Sequence, residues 1–112
     1  MNFQAFDVIV VPFPYSDRLA EKRRPALVIS NPELERQCGL VWVAMITSAG
    51  RTPSLGDVNI EDQRAAGLPV ASTIRAAKVA TIEPQRVLRK AGRLAVADRE
   101  TAEAALRACA GY

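Results

Sequence analysis

The sequence contains no histidine among its 112 residues. This absence removes the usual general base of enzymes, the Ser–His and Cys–His nucleophile pairs and the usual side-chain ligand of transition metals. Any catalysis by this chain therefore has to use arginine, lysine, carboxylates or hydroxyls, and we predict no metal site and no cofactor.

Cysteine is scarce, with Cys38 and Cys109 as its two occurrences. They stand far apart and lack the CxxC spacing of zinc sites and redox motifs. We interpret them as two small buried side chains in a reducing compartment, with a structural disulfide as the alternative.

Long apolar stretches are missing as well. The longest run covers residues 40–46, far short of the roughly 20 residues that span a bilayer. The chain also opens with a strand-like segment, without the basic region and cleavage site of a signal peptide. We therefore expect a cytoplasmic protein with no membrane partner.

Phosphate-binding glycine motifs and the EF-hand calcium loop do not occur either. Glu61 and Asp62 are adjacent acids, but a solvated turn explains them better than a metal site does. The chain has 49% apolar and 24% charged residues, which is typical of a soluble globular protein. Its length predicts one domain over residues 1–112, and its formal charge of +3 suits a polyanionic partner.

Short apolar segments rich in β-branched residues predict most of the secondary structure. The predicted strands cover residues 7–11, 26–30, 40–47, 57–60 and 72–82. The third segment is continuously apolar, so we expect both of its faces to be covered and Trp42 to lie in the core.

Two segments carry helix signals. Asn31 and Pro32 form the N-terminal pattern of a short helix that ends near Gly39. Asp98 is the predicted N-cap of a terminal helix that runs to Gly111. Many short strands with one terminal helix indicate an α+β protein built as a small curled β-barrel.

The densest positive charge of the chain stands directly before a strand. Lys22, Arg23 and Arg24 precede Pro25 and the apolar segment that follows it. We predict a loop over residues 12–24, with Pro25 keeping Arg24 extended at the mouth of the strand. A run of charges in contact with solvent is the ordinary explanation of such a pattern. Other features of the sequence therefore have to show whether these cations have a function.

Two further polar pairs lie in or at the end of predicted strands. Thr47 and Ser48 close the most buried strand, where turn chemistry is the simpler explanation. Arg75 and Lys78 interrupt an otherwise apolar strand. Together with the basic run, these pairs would bring guanidinium, hydroxyl and ammonium groups to strand ends, which is the composition of a phosphate-binding site.

Four blocks of the sequence, in order, resemble one protein family. The blocks read FDVIVVPFPYSD, KRRPALVIS, VAMITS and STIRAAKVATIEPQRV, and they resemble the MazF/PemK (Kid-type) toxins of bacterial type II toxin–antitoxin modules. The resemblance implies an SH3-like β-barrel that forms a homodimer. It also implies a metal-independent, sequence-specific endoribonuclease that cuts single-stranded RNA to 2′,3′-cyclic phosphate and 5′-hydroxyl ends.

The same resemblance assigns roles to particular residues. Arg24 and Thr47 match the catalytic pair of the family, Ser48 matches the neighbouring hydroxyl, and Arg75 matches an arginine that contacts RNA in Kid-like members. Ala77 stands where those members have an acid, so an acid-assisted mechanism has no counterpart here. The predicted RNA-binding residues are Lys22, Arg23, Arg75 and Lys78.

Two other functions remain open at this level. CcdB-like toxins resemble the same fold but bind DNA gyrase without cutting RNA, and they lack the pairing of an Arg-Pro sequence with a threonine. A plain SH3-like module would bind a peptide or nucleic acid without chemistry. For the toxin, the resemblance implies a cognate antitoxin whose acidic, disordered tail folds across the RNA groove.

Overall fold

The computed structural model describes residues 2–13, 22–50 and 52–112. In chain order its elements are β1 (Asp7–Phe13), β2 (Lys22–Val28), α1 (Pro32–Cys38), β3 (Val41–Ser48), β4 (Asp57–Asn59), β5 (Ser72–Ile82), a 3₁₀ turn (Pro84–Arg86), β6 (Arg89–Arg93) and α2 (Val96–Ala110).

The six strands form one sheet in the order β4-β5-β3-β2-β1-β6. All five neighbouring pairs are antiparallel. The predicted α+β class with a C-terminal helix is confirmed. Within the described residues β4 and β6 do not pair with each other, so closure of the sheet into an SH3-like barrel stays a prediction.

The sheet has an apolar cluster on each face, because side chains alternate along a strand. One cluster includes Leu27, Ile46 and Ile74 and packs against α2 through Ala102. The other includes Ile9 and its neighbours in the adjacent strands. This double burial explains why the middle strands are nearly continuous apolar runs.

Trp42 corrects the prediction of a fully covered third strand. Its side chain is 50% exposed, whereas Val43 and Ala44, which follow it in β3, are fully buried. Trp42 lines an open groove with Leu106 and Tyr112 near the end of the chain. The predicted core position of Trp42 is therefore wrong, because the cluster on that face ends short of it.

Helix α1 begins and ends as the sequence predicts. The Asn31 side-chain oxygen accepts a hydrogen bond from the Glu33 N–H at 2.6 Å, and Pro32 is the first helical residue. Gly39 closes the helix with a left-handed φ of 68°. Neither of the helices described here is long and apolar enough to cross a membrane.

Helix α2 ends at Gly111 as predicted, but Asp98 is not its N-cap. The helix begins at Val96, and Asp98 lies inside its first turn with 2% of its surface exposed. Its two carboxylate oxygens accept hydrogen bonds from the N–H groups of Glu61 and Asp62, at 3.0 and 2.9 Å. The capping pattern was misleading because the partners of this carboxylate are distant in sequence.

Both cysteines are exposed free thiols, so their predicted burial is wrong. Cys38 is the last residue of α1, and Cys109 lies in the last turn of α2. Helix α1 buries none of its residues and α2 buries only Asp98 and Ala102, so a position in either helix does not bring burial.

Candidate functional site

The basic run lies in a strand and not in a loop. Lys22, Arg23 and Arg24 are the first three residues of β2 and stand opposite residues 13, 12 and 11 of β1. The predicted loop over residues 12–24 is therefore wrong at both ends, and its part at residues 14–21 lies outside the described residues. Pro25 is tolerated in this strand because β2 pairs with β3 only over residues 26–28.

A cleft opens where β2 and β3 part, and we call it the β2–β3 cleft. Its volume is about 360 Å³. The basic end of β2 lines one side, Thr47 and Ser48 of β3 line a second, and Leu68 and Pro69 form part of a third. The structure thus gathers five of the seven residues that the sequence singled out: Lys22, Arg23, Arg24, Thr47 and Ser48.

Strand register accounts for the meeting of Arg24 and Thr47. Ala26 stands opposite Met45 in the β2–β3 pair. The same register, continued two residues beyond the paired region, brings Arg24 opposite Thr47 on one face of the sheet. Both residues are half-buried, and Ser48 at the end of β3 is exposed.

Arg75 adjoins this cleft but does not line it. It stands opposite Met45 on one side and Asp57 on the other. Thr47 stands opposite Thr73, two residues from Arg75, so Thr47 and Arg75 are diagonal neighbours about 7–8 Å apart on one face. The long arginine side chain can therefore reach the surroundings of Thr47.

Asp57 is the partner of Arg75 that sequence reasoning missed. The Arg75 Nε lies 3.7 Å from the Asp57 Oδ1, which makes an ion pair too long for a hydrogen bond. Both atoms are buried without a hydrogen-bond partner, while the Asp57 Oδ2 accepts the Ser54 N–H at 2.8 Å. A single acid in a short strand carries no sequence signal, because its partner is set by the pairing of β4 with β5.

Lys78 lies apart from the cleft. Ala44 stands opposite Val79 and Met45 stands opposite Arg75, so the intervening part of β5, including Lys78, bulges from the ladder. Lys78 is exposed and does not line the β2–β3 cleft. The distance of three residues between Arg75 and Lys78 in the sequence does not indicate this bulge.

The third wall of the cleft is fixed by close backbone contact with β6. Gly67 has a φ of +72°, and a Cβ there would lie 2.0 Å from the Ala91 carbonyl oxygen. A Cβ on Gly92 would lie 2.5 Å from the Ala65 carbonyl oxygen, which also accepts the Arg93 N–H at 3.0 Å. A glycine within a strand is a signal of such close approach, and Gly92 could have been recognised by it.

The β2–β3 cleft is electrostatically positive. Of the residues that the structure describes, three cations and no acid line it, and no ion pair links those cations to a described acid. Within residues 2–13, 22–50 and 52–112, no group of three or more cysteines and acids is placed to hold a metal ion. Guanidinium groups and hydroxyls around a small cleft are suited to bind a phosphate.

Comparison with known proteins identifies one family. The sequence profile of PemK-like, MazF-like toxins of type II toxin–antitoxin systems matches residues 4–109. No significant relative is found among curated proteins.

Several solved structures share the fold of this chain. An endoribonuclease in complex with its cognate antitoxin, from a mycobacterial species, has a TM-score of 0.77 at 19% identity, over 97% of this chain and 95% of that one. A MazE–MazF complex from Deinococcus radiodurans has a TM-score of 0.78 at 17% identity, over 99% and 98%. The Mycobacterium tuberculosis toxin MazF-mt6 has a TM-score of 0.75 at 19% identity, over 94% and 96%.

Proposed function

Because the chain belongs to the family of PemK-like, MazF-like toxins of type II toxin–antitoxin systems, we propose that it is a sequence-specific endoribonuclease that cleaves single-stranded RNA. The observation that carries this proposal is the β2–β3 cleft, where Arg24 and Thr47 line one positively charged pocket. The proposed toxin is a single cytoplasmic domain that forms a homodimer and has an SH3-like barrel.

The proposed chemistry is attack of an RNA 2′-hydroxyl on the adjacent phosphate. The P–O bond to the 5′-oxygen breaks, and the products are a 2′,3′-cyclic phosphate and a 5′-hydroxyl. Arg24 supplies a planar pair of N–H donors to the oxygens of the pentacoordinate phosphorus, where charge develops in the transition state. Hydroxyls of Thr47 and Ser48 donate to the same oxygens.

The family resemblance implies an acid or base role for Arg24, but the mechanism proposed here does not need Arg24 to transfer a proton. A guanidinium group already carries its proton and is a very weak acid, so it is poorly suited to accept or release a proton. The described residues at the cleft offer no histidine or carboxylate, and Ala77 replaces the acid of Kid-like members. We propose that water or a phosphate oxygen accepts the proton of the 2′-hydroxyl and that water protonates the leaving 5′-oxygen.

RNA cleavage by the pure protein is expected to persist in excess EDTA, because the proposed mechanism places charge on Arg24 where other nucleases use a metal. The measurement is gel analysis of a single-stranded RNA incubated with and without EDTA. Cleavage that disappears on chelation and returns with magnesium would reject the metal-free mechanism. RNA left intact under all conditions would favour a gyrase-binding toxin or a binding module.

We also propose that RNA and an antitoxin compete for this cleft. The structural neighbours include an endoribonuclease with its cognate antitoxin and a MazE–MazF complex. An acidic, disordered tail would place carboxylates at the phosphate positions, beside the exposed cations of β2.

Charge reversal in Lys22→Glu/Arg23→Glu is expected to weaken RNA and the antitoxin tail together, because both ligands are polyanions that use the same cations. The affinities are measured by titration with a non-cleavable RNA and with the tail peptide, at several salt concentrations. The size of the homodimer should not change. Loss of RNA binding with wild-type affinity for the tail would disprove the shared site.

A further inference from the structure

A second cleft adjoins the β2–β3 cleft on the side of β6, and we call it the β6 cleft. Its volume is about 320 Å³. Both clefts are lined by Arg23, Pro25, Leu68 and Pro69. Arg89 lines the β6 cleft and not the β2–β3 cleft, so Arg23 stands between the two and Arg89 at the far side.

Strand register places Arg23 and Arg89 around one space. Arg89 of β6 stands opposite Val10 of β1, and Val10 stands opposite Pro25 of β2. Arg23 is two residues from Pro25 along β2 and therefore on the same face. The spacings between strands and along a strand separate the Cα atoms of the two arginines by about 12 Å. Two arginine side chains can close on one anion across that distance.

The charge of the β6 cleft is uncompensated by the described part of the chain. No acid among the described residues lines the cleft, and none of them forms an ion pair with Arg23 or Arg89. The nearest carboxylate along β1 is Asp7, which pairs with Lys90 at 3.2 Å and Arg93 at 2.9 Å. The cleft therefore attracts an anion.

The remaining lining is apolar. Leu88 is 46% exposed and forms the rim with Pro25 and Pro69. Two guanidinium groups beside an exposed apolar rim suit a nucleotide, which offers a phosphate to the charges and the face of a base to the rim. A free inorganic anion would leave that rim in water.

Both walls of the cleft are held in place. The Leu88 N–H donates to the Val10 carbonyl oxygen at 2.8 Å, which ties the start of β6 to β1. Opposite, the contact of Gly67 with Ala91 fixes the segment that carries Pro69. Because both walls are ordered by the fold, binding needs little reorganisation.

We propose that the β6 cleft is a second phosphate subsite, which binds the RNA phosphate next to the scissile one, and that Arg89 is its distinguishing residue. This inference rests on the proposed function, since it extends the RNA path from the β2–β3 cleft. Arg23 contacts the strand between the two subsites.

Salt dependence of RNA binding tests the subsite without any need for cleavage. The probe is a short single-stranded 2′-O-methyl RNA of random sequence, which has no free 2′-hydroxyl to attack. For Arg89→Ala we expect roughly three- to tenfold weaker binding, with the slope of log K against log salt reduced by about 0.7. Arg89→Lys should keep the wild-type slope, because it keeps the charge.

The matched control is Arg36→Ala, which removes the same charge from α1. Arg36 is exposed, pairs with Glu33 and lines neither cleft. The Arg36→Ala variant should bind the probe with the affinity of the wild type. A wild-type slope for Arg89→Ala, or an equal loss for Arg36→Ala, would overturn the subsite.

Replacing single phosphates of the RNA by neutral linkages shows which phosphate contacts Arg89. The probe is a non-cleavable RNA that contains the sequence cleaved by the wild-type protein. One phosphate at a time is replaced by a methylphosphonate. The replacement next to the scissile position should weaken wild-type binding several-fold and leave Arg89→Ala unaffected, since the contact is already lost. If every position weakens Arg89→Ala as it weakens the wild type, the proposed contact is wrong.

The outcomes separate this inference from the proposed function. A wild type that binds RNA with an Arg89-dependent slope but does not cut it rejects the endoribonuclease and keeps the β6 cleft as a site for an RNA phosphate. A wild type that cuts RNA while Arg89→Ala binds normally rejects the subsite alone. If Arg89→Ala weakens an acidic peptide and not RNA, the cleft binds a protein tail and the inference is wrong.

Discussion

Replacement of Arg24 by alanine is expected to slow RNA cleavage by roughly two to three orders of magnitude. Arg24 is half-buried and lines the cleft with Thr47, whereas the other two cations of the lining, Lys22 and Arg23, are exposed. Its planar pair of N–H groups matches two phosphate oxygens, and that match improves as charge moves onto them in the transition state. The loss should therefore appear mainly in kcat.

The fold should survive this change. Arg24 has an unpaired edge on the β3 side of the strand, and its side chain belongs to neither apolar cluster. The melting temperature of Arg24→Ala is expected to stay near that of the wild type. Single-turnover cleavage and thermal unfolding on the same preparation check both statements.

Two companion variants separate charge from geometry. Arg24→Lys keeps the charge but loses the fork of donors, so it should recover only part of the rate. Arg36→Ala removes a surface charge outside the cleft and should cleave normally. A folded Arg24→Ala protein with the wild-type cleavage rate would remove Arg24 from the proposed mechanism.

The sequence predicted correctly those features that depend on residues close together in the chain. The caps of α1 and the span of β5 at residues 72–82 follow from neighbouring side chains and are confirmed. The strand at residues 40–47 is confirmed with a shift of one residue. Burial of Trp42 was mispredicted because burial depends on what packs over the strand.

Prediction of the candidate site depended on the family resemblance and not on local patterns. Proximity of Arg24 and Thr47 follows from the β2–β3 register, which no local pattern fixes, and it was expected from the family resemblance. Asp57 and its pairing with Arg75 were missed, since that contact arises from the order of strands in the sheet. Asp98 was misassigned because its partners lie 36 and 37 residues away.

Glycine at position 67 is expected to contribute strongly to stability, because two backbones touch there. An alanine Cβ would lie 2.0 Å from the Ala91 carbonyl oxygen and 2.6 Å from its carbon, so backbone atoms would have to move. The residue also has a left-handed φ of +72°. We expect Gly67→Ala to lower the free energy of unfolding by about 3 kcal/mol or more.

Gly39 offers a control that isolates the contact from the backbone strain. Its φ is +68°, close to that of Gly67, but a Cβ there would meet nothing within 4 Å. Gly39→Ala should therefore cost only the conformational penalty, about 1 kcal/mol. The difference between the two variants measures the clash with β6 alone. It should appear as a further drop in melting temperature of roughly 10 °C for Gly67→Ala.

The same variant connects stability with function, since Gly67 precedes the wall formed by Leu68 and Pro69. Below its lowered melting temperature, Gly67→Ala should be folded but should hold that wall less firmly against both clefts. We expect a weaker affinity for non-cleavable RNA in this variant and an unchanged affinity in Gly39→Ala. Equal loss of stability in the two variants would contradict the close contact between Gly67 and β6.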